Sequence, residues 1–243
     1  MAVLAIDVGN SRIKWGLSDG SRWIDMGSVD HTQLAALASA WTRLPAAAGE
    51  AIGSNVSDPG IALSIASMLG AQRIPIRWIE SRSVQCGVRN RYADPSQLGT
   101  DRWAALIGAR SIYAGACVVV GAGTAVTVDA LTATGDFLGG LIIPGLSLMA
   151  DALARDTARL PRDTGAYTEF PRTTADAIAT GAIDAVAGAV ERLERRLRAR
   201  EGGRVGLVAT GGAIAALKPH LAPDALVVDN LVLEGLLVIA AEA

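Results

Sequence analysis

The chain reads as an α/β protein. Short apolar runs of strand length alternate with segments of three-four apolar spacing, and a glycine-tipped hairpin pattern stands near the N-terminus. The same pattern returns 114 residues later, Gly9 against Gly123, close to half of the 243 residues. The repeat predicts two similar halves, divided as 1–105 and 106–243.

Val3 to Asp7 is an apolar run, Val8-Gly9-Asn10-Ser11 supplies turn chemistry, and Ile13, Trp15 and Leu17 alternate with Arg12, Lys14 and Gly16, so the segment predicts a hairpin with a Gly-Asn-Ser tip. Helical periodicity follows over Thr32–Leu44, Ile61–Leu69 and Asp101–Tyr113, with strands expected at Ala51–Gly53 and Ile76–Ile79. In the second half Cys117 to Val120 precedes Gly121-Ala122-Gly123-Thr124, after which Val126 and Val128 alternate with Thr127 and Asp129. A β pattern runs over Leu138–Ile143, Pro144-Gly145 breaks it, a helix follows from Ser147, and 155–173 is loop-like. Ala175–Arg200 carries an apolar stripe through Ile183, Val186, Val190, Leu193 and Leu197. Val205–Ala209 and Leu226–Val228 are expected as strands before a terminal helix at Leu231–Ala241.

Composition narrows the function. Hydrophobic residues make up 51% and charged residues 19%, which excludes disorder, and the net charge of −2 lacks the positive field that holds a nucleic-acid backbone. Nucleic acid is not the expected partner. No secretory signal is read at the N-terminus, and Leu231–Ala241 falls short of the ~20 residues needed to cross a bilayer. No membrane is expected, and Cys86 and Cys117, without CxxC spacing, fit a reducing cytoplasm. Two histidines, His31 and His220, without a metal motif, leave acid–base work to carboxylates.

Bare backbone at a glycine tip lets amides approach phosphate oxygens, so Gly9-Asn10-Ser11 is either an ordinary turn or an anion-binding element, with Asp7 just before it placed to hold Mg²⁺. The P-loop and dinucleotide fingerprints are absent; Val126 stands where the latter needs glycine. Gly211-Gly212 is a strand-to-helix turn or a surface for a ribose or adenine. Gly99-Thr100-Asp101-Arg102 opens a helix. In one reading Thr100 caps it, Asp101 suits its positive end and Arg102 is solvated; in the other Asp101 accepts a substrate proton while Arg102 binds an anion. Lys14, one of two lysines, meets a phosphate or water. The arginines of 192–200 form Glu–Arg pairs at i,i+4 and read as a solvated helix face.

Taken together and in order, Asp7-Val8-Gly9-Asn10-Ser11, Gly99-Thr100-Asp101-Arg102, Gly123-Thr124-Ala125-Val126-Thr127 and Thr210-Gly211-Gly212 resemble type III pantothenate kinase over nearly the whole chain. The resemblance implies the acetate and sugar kinase, heat-shock-70 and actin superfamily, with two duplicated ribonuclease-H-like domains around a central cleft. It implies ATP-dependent phosphorylation of pantothenate to 4′-phosphopantothenate, the first step of coenzyme A biosynthesis, by a cytoplasmic homodimer that uses Mg²⁺. Rival readings are another small-molecule kinase or a phosphatase of that superfamily, and a nucleotide-binding regulator with a protein partner.

By the same resemblance Asp7, Val8, Gly9, Asn10, Ser11, Arg12, Ile13 and Lys14 form the first phosphate motif, with Asp7 at the metal, while Gly123 and Thr124 belong to the second, Thr124 as its ATP contact. Asp101 is the proton acceptor, and an ordinary carboxyl pKa near ~3.9 suffices because the transition state is loose. Tyr92, Gly99, Thr100, Asp101, Arg102 and Thr174 are the pantothenate-binding elements, and the 183–197 stripe is either plain core, the commoner case for a single helix, or a surface for pairing of two copies. Gly121 stands where many members have an Asp associated with a monovalent cation, K⁺ or NH₄⁺, so such an ion relies on backbone oxygens or another residue, or is not required; Thr100 replaces the commoner Ala.

Overall fold

Residues Met1–Ile112 and Asn230–Ala243 make one compact unit and Tyr113–Asp229 a second. The computed structural model describes residues 1–157 and 165–242. The first unit contains β1 (Ala2–Val8), β2 (Arg12–Ser18), β3 (Trp23–Asp30), α1 (Leu34–Trp41), β4 (Ala48–Asn55), α2 (Pro59–Ala71), β5 (Ile76–Trp78), β6 (Val84–Gln85), β7 (Val88–Asn90) and α3 (Thr100–Ile112). The second contains β8 (Cys117–Ala122), β9 (Ala125–Leu131), β10 (Asp136–Pro144), α4 (Leu146–Asp156), α5 (Thr174–Glu201), β11 (Gly206–Thr210), α6 (Ile214–Leu217) and β12 (Leu226–Val227); α7 (Leu231–Ala241) returns to the first.

The first sheet runs β3-β2-β1-β4-β5, with β1 antiparallel to β2 and parallel to β4. In the second unit the strands run β10-β9-β8-β11-β12, with β8 antiparallel to β9 and parallel to β11. The order is the same, so the repeat expected from the two hairpins is present in the topology. Asp7 pairs with Lys14 and Gly121 with Thr127, each two residues before a tip glycine, which makes Gly121 the counterpart of Asp7.

Each sheet is folded by burial of its apolar residues. Leu4, Ile6, Val8 and Ile13 pack with Leu37 and Trp41 of α1 and Ile65 and Leu69 of α2. Each such fully buried side chain contributes about 1.5–3 kcal/mol. Asp58 caps α2 by accepting from the Gly60 amide at 2.6 Å, with Pro59 at the first helical position. In the second unit Val118, Val120, Val126 and Val128 pack against Val186, Val190, Leu193 and Leu197 of α5. Of the two readings of the α5 stripe, core and pairing surface, the packing selects core of its own unit and sets aside the pairing surface.

The sequence division after residue 105 differs from these units in two ways: α3 stays whole, and α7 joins the first half. Both follow from close packing of two helices. A Cβ on Gly235 would stand 1.8 Å from the Ala104 carbonyl oxygen, and one on Gly108 2.6 Å from that of Leu231, so each helix needs the other's glycine. Among the remaining differences, β3 and the β6–β7 hairpin are additions to the expected elements. The loop-like stretch 155–173 begins inside α4, ends on Thr173, the N-cap of α5, and for 158–164 lies outside the described residues.

Candidate active site

Three backbone segments of the first unit converge on Asp7. Its neighbours in register are Lys14 on β2 and Ser54 on β4, and the start of α3 is tied to β4 by side chains. The Ser54 hydroxyl, fully buried, lies 2.9 Å from that of Thr100, which also donates to the Asn55 carbonyl at 3.4 Å. Thr100 is thus the first helical residue and anchors α3 sideways, a correction to its expected role as a cap.

This anchoring brings Asp101 within electrostatic reach of Asp7. Asp7 Oδ1 is buried with no hydrogen-bond partner. Its carboxyl is pushed up to about 7, first by burial and second by the charge of Asp101, against the pull of Lys14. Burial also raises Asp101 above the ordinary carboxylate range, opposed by the Arg102 amide and guanidinium. The Arg102 amide donates to Asp101 Oδ1 at 2.7 Å. An Asp with an ordinary pKa was expected here; desolvation makes this one a better base.

The tip of the first hairpin is closed by the Gly9 amide, which donates to the Arg12 carbonyl at 3.1 Å. Asn10, Ser11 and Arg12 are exposed, whereas Val8 and Ile13 are buried in the sheet. Arg102 is buried, not solvated: its Nη1 donates to the Tyr92 hydroxyl at 3.2 Å, and its guanidinium lies 5.8 Å from that ring's centre. Tyr92 is held in turn by its amide's bond to Asn90 Oδ1 at 3.0 Å. Tyr92, Gly99, Thr100, Asp101 and Arg102 therefore form one cluster.

A carboxylate oxygen buried without a donor is a poor resting state and a good seat for a cation. No cluster of three or more His, Cys, Asp or Glu residues capable of holding a metal occurs among the described residues. The buried Asp7 carboxylate with Asp101 near it suits the chemistry of Mg²⁺, which binds through one or two carboxylates and completes its shell with water and substrate phosphates.

In the second unit the Gly123 amide donates to the Ala125 carbonyl at 3.1 Å, and the Gly145 amide to the Thr124 carbonyl at 2.9 Å. Gly145 opens α4 so close to the tip that a Cβ there would meet the Gly123 oxygen at 2.4 Å. Gly211, at φ +110°, lies against Ala122 in the same way, with a Cβ 2.3 Å from its oxygen. The second tip and the Gly211-Gly212 turn are thus neighbours. Thr174 is exposed at the first position of α5, after Thr173, which accepts from the Asp176 amide at 3.1 Å.

Ser54 and Gly145 stand against the predicted elements, beside Asp7 and at the second tip, and local sequence patterns passed them over. Ser54 has a signal in hindsight: a polar Ser-Asn pair at the carboxyl end of a parallel strand, where α/β sheets place ligands. Gly145 has only the Pro-Gly break.

A family model described as type III pantothenate kinase matches residues 3–196. The type III pantothenate kinase of Aromatoleum aromaticum is 48% identical over 240 residues, covering 99% of this chain and 98% of the relative. That of Nitrosospira multiformis is 44% identical, covering 99% and 91%. A crystal structure from Campylobacter jejuni, described as a Baf family transcriptional activator, superposes with a TM-score of 0.67 at 21% identity, covering 98% of each chain, which speaks to the fold alone.

Proposed function

We propose how this chain works from one premise: it belongs to the type III pantothenate kinase family, and it phosphorylates pantothenate to 4′-phosphopantothenate at the expense of ATP, the first step of coenzyme A biosynthesis. The observation that carries the assignment of roles is the buried, partnerless Asp7 oxygen within electrostatic reach of the half-buried Asp101.

Asp101 is the group that accepts the proton of the pantothenate primary hydroxyl. With one oxygen taken by the Arg102 amide, its other oxygen orients that hydroxyl toward the γ-phosphorus. The new O–P bond forms as the bond to the β–γ bridging oxygen breaks, and ADP leaves with the electron pair. Because the transition state is loose, proton transfer runs late and positioning dominates. Burial that raises Asp101 supports its role as acceptor.

Asp7 would hold the divalent cation, Mg²⁺. Bound there with the triphosphate, such an ion would supply neutralisation of the charge gathering on the transferred group. Val8 to Lys14 form the first phosphate-binding element, with backbone amides at Asn10 and Ser11, the Gly9 amide closing the turn onto Arg12, and cations at Arg12 and Lys14; Gly123 and Thr124 form the second. Tyr92, Gly99, Arg102 and Thr174 bind pantothenate, joined by the main chain of Thr100, whose hydroxyl is engaged with Ser54.

The chain works as a cytoplasmic homodimer, for which Ile142, Leu148 and Leu153, exposed on β10 and α4, are the supporting apolar surface. Among the described residues no helix is long and apolar enough to cross a membrane. Gly121 supports weak dependence on K⁺ or NH₄⁺. A coupled ADP-release assay tests the reading: ADP should form with ATP, Mg²⁺ and pantothenate together, and release that is indifferent to pantothenate would overturn it.

A further inference from the structure

His31 belongs neither to the core nor to the carboxylate cluster, yet its ring is fixed. It opens a 3-10 turn, His31–Gln33, directly after β3. Antiparallel pairing of Arg12 with Asp30 sets that turn beside the β1–β2 tip. Ring Nε2 lies 2.8 Å from the Gly9 carbonyl oxygen. A carbonyl only accepts, so the ring N–H donates, which requires a proton on Nε2.

Both polar groups of the Gly9 backbone are then engaged, its amide with Arg12 and its carbonyl with His31. The peptide between Gly9 and Asn10 is trans, like every described peptide bond. In a trans peptide the C=O and the following N–H point to opposite sides. With the Gly9 carbonyl turned to His31, the Asn10 amide points away from that contact, on a residue that is itself exposed. Polarising the carbonyl also strengthens that amide as a donor. Left alone, the peptide beside a glycine has no side chain to hold its orientation. The neighbouring Arg12–Asp30 pair, at 3.5 Å and largely exposed, contributes little to holding the tip.

We infer that His31 is a positioning residue for the triphosphate: its ring N–H presets the Gly9–Asn10 peptide so that the Asn10 amide meets a phosphate oxygen without reorganisation. The inference rests on residues 9–11 being a phosphate-binding element. It assigns His31 to nucleotide binding and leaves the acceptor side unaffected.

Steady-state kinetics on the full chain, with ATP and pantothenate varied separately, test it. His31→Gln keeps a side-chain N–H donor, His31→Phe keeps the ring without one, and Asn10→Pro removes the presented amide itself. His31→Phe should raise KM for ATP about tenfold, leaving kcat and KM for pantothenate within about threefold, and His31→Gln should recover most of the loss. An unchanged KM for ATP in His31→Phe, or equal losses in the Phe and Gln variants, overturns the inference. If Asn10→Pro raises KM for ATP while His31→Phe does not, the tip reading stands and His31 alone falls. If a folded Asn10→Pro leaves it unchanged, the tip reading falls and the inference with it. Should His31→Phe fail to fold, His31→Leu is judged by the same criteria.

Discussion

Ser54, fully buried, and Thr100, half-buried, share a hydrogen bond of 2.9 Å between β4 and the start of α3. Ser54 is also the register neighbour of Asp7, so this bond fixes the two carboxylates with respect to each other. Ser54→Ala should cost about 1–2 kcal/mol by leaving a buried hydroxyl poorly satisfied. Thr100→Ala in the Ser54→Ala background should cost less than it does alone, a coupling of about 1 kcal/mol by urea unfolding of the four proteins. Additive losses would show that the two hydroxyls act separately.

Asp101→Asn should lower kcat by roughly 10²-fold or more with the fold intact. Gly99→Ala offers a milder version. Its Cβ would stand 2.6 Å from Asp101 Oδ1, the end of a flexible side chain, so the carboxylate should move and the backbone stay. The expected result is a loss in kcat with an unchanged melting temperature. Near-normal turnover in Asp101→Asn would remove it as the proton acceptor.

Asp7 gives the metal-free protein a pH dependence of definite sign. In the native state its carboxyl titrates at about 7, in the unfolded chain near the ordinary 3.8. Between those values the native state holds more protons, so this group's contribution to stability falls as pH rises through the window. Asn at this position never ionises. Asp7→Asn should therefore gain on the parent by roughly 2–3 kcal/mol between pH 5 and pH 8, measured by urea unfolding in EDTA. A constant difference would mean that Asp7 titrates normally. Activity should be lost in the same variant.

Gly121 sits at the Asp7-equivalent position of the second half, and a Cβ there would meet the Thr127 hydroxyl at 2.8 Å. Without a carboxylate, a monovalent cation finds little to bind. The rate in sodium-only buffer should stay within about twofold of that in potassium. A collapse in sodium that potassium restores would contradict this.

Gly235→Ala drives a Cβ into backbone, the Ala104 carbonyl, and should cost more than about 3 kcal/mol or abolish soluble expression. Gly188→Ala on α5, with nothing within 4 Å of its Cβ, should instead gain about 0.5–1 kcal/mol. Thermal melts of the pair of variants distinguish packing from helix propensity.

Elements with strong local patterns were legible in the sequence: both hairpins, α5 with its stripe and α7 all lie where periodicity puts them. The place of Asp101 in the first turn of a helix was legible too, because a helix start and its acid are local. β3 was not, since it forms along the free edge of β2 and is half exposed. The β6–β7 hairpin turns through Cys86 at φ +48° and Gly87 at φ +75°, a left-handed pair that Cys-Gly does not advertise. Ser54 and His31 acquire their partners only through β1–β4 and β2–β3 pairing, which no spacing along the chain encodes. The capping reading of Thr100 failed for the same reason: its hydroxyl found a strand neighbour 46 residues away.

The return of α7 to the first unit has a consequence for synthesis on the ribosome. Residues 113–229 form a unit contiguous in sequence, whereas α3, which carries Asp101, lacks its packing partner until residues 230–243 have emerged. The N-terminal portion must then wait, with the apolar side of α3 uncovered, while the younger portion is translated and collapses. The half made first is the half finished last.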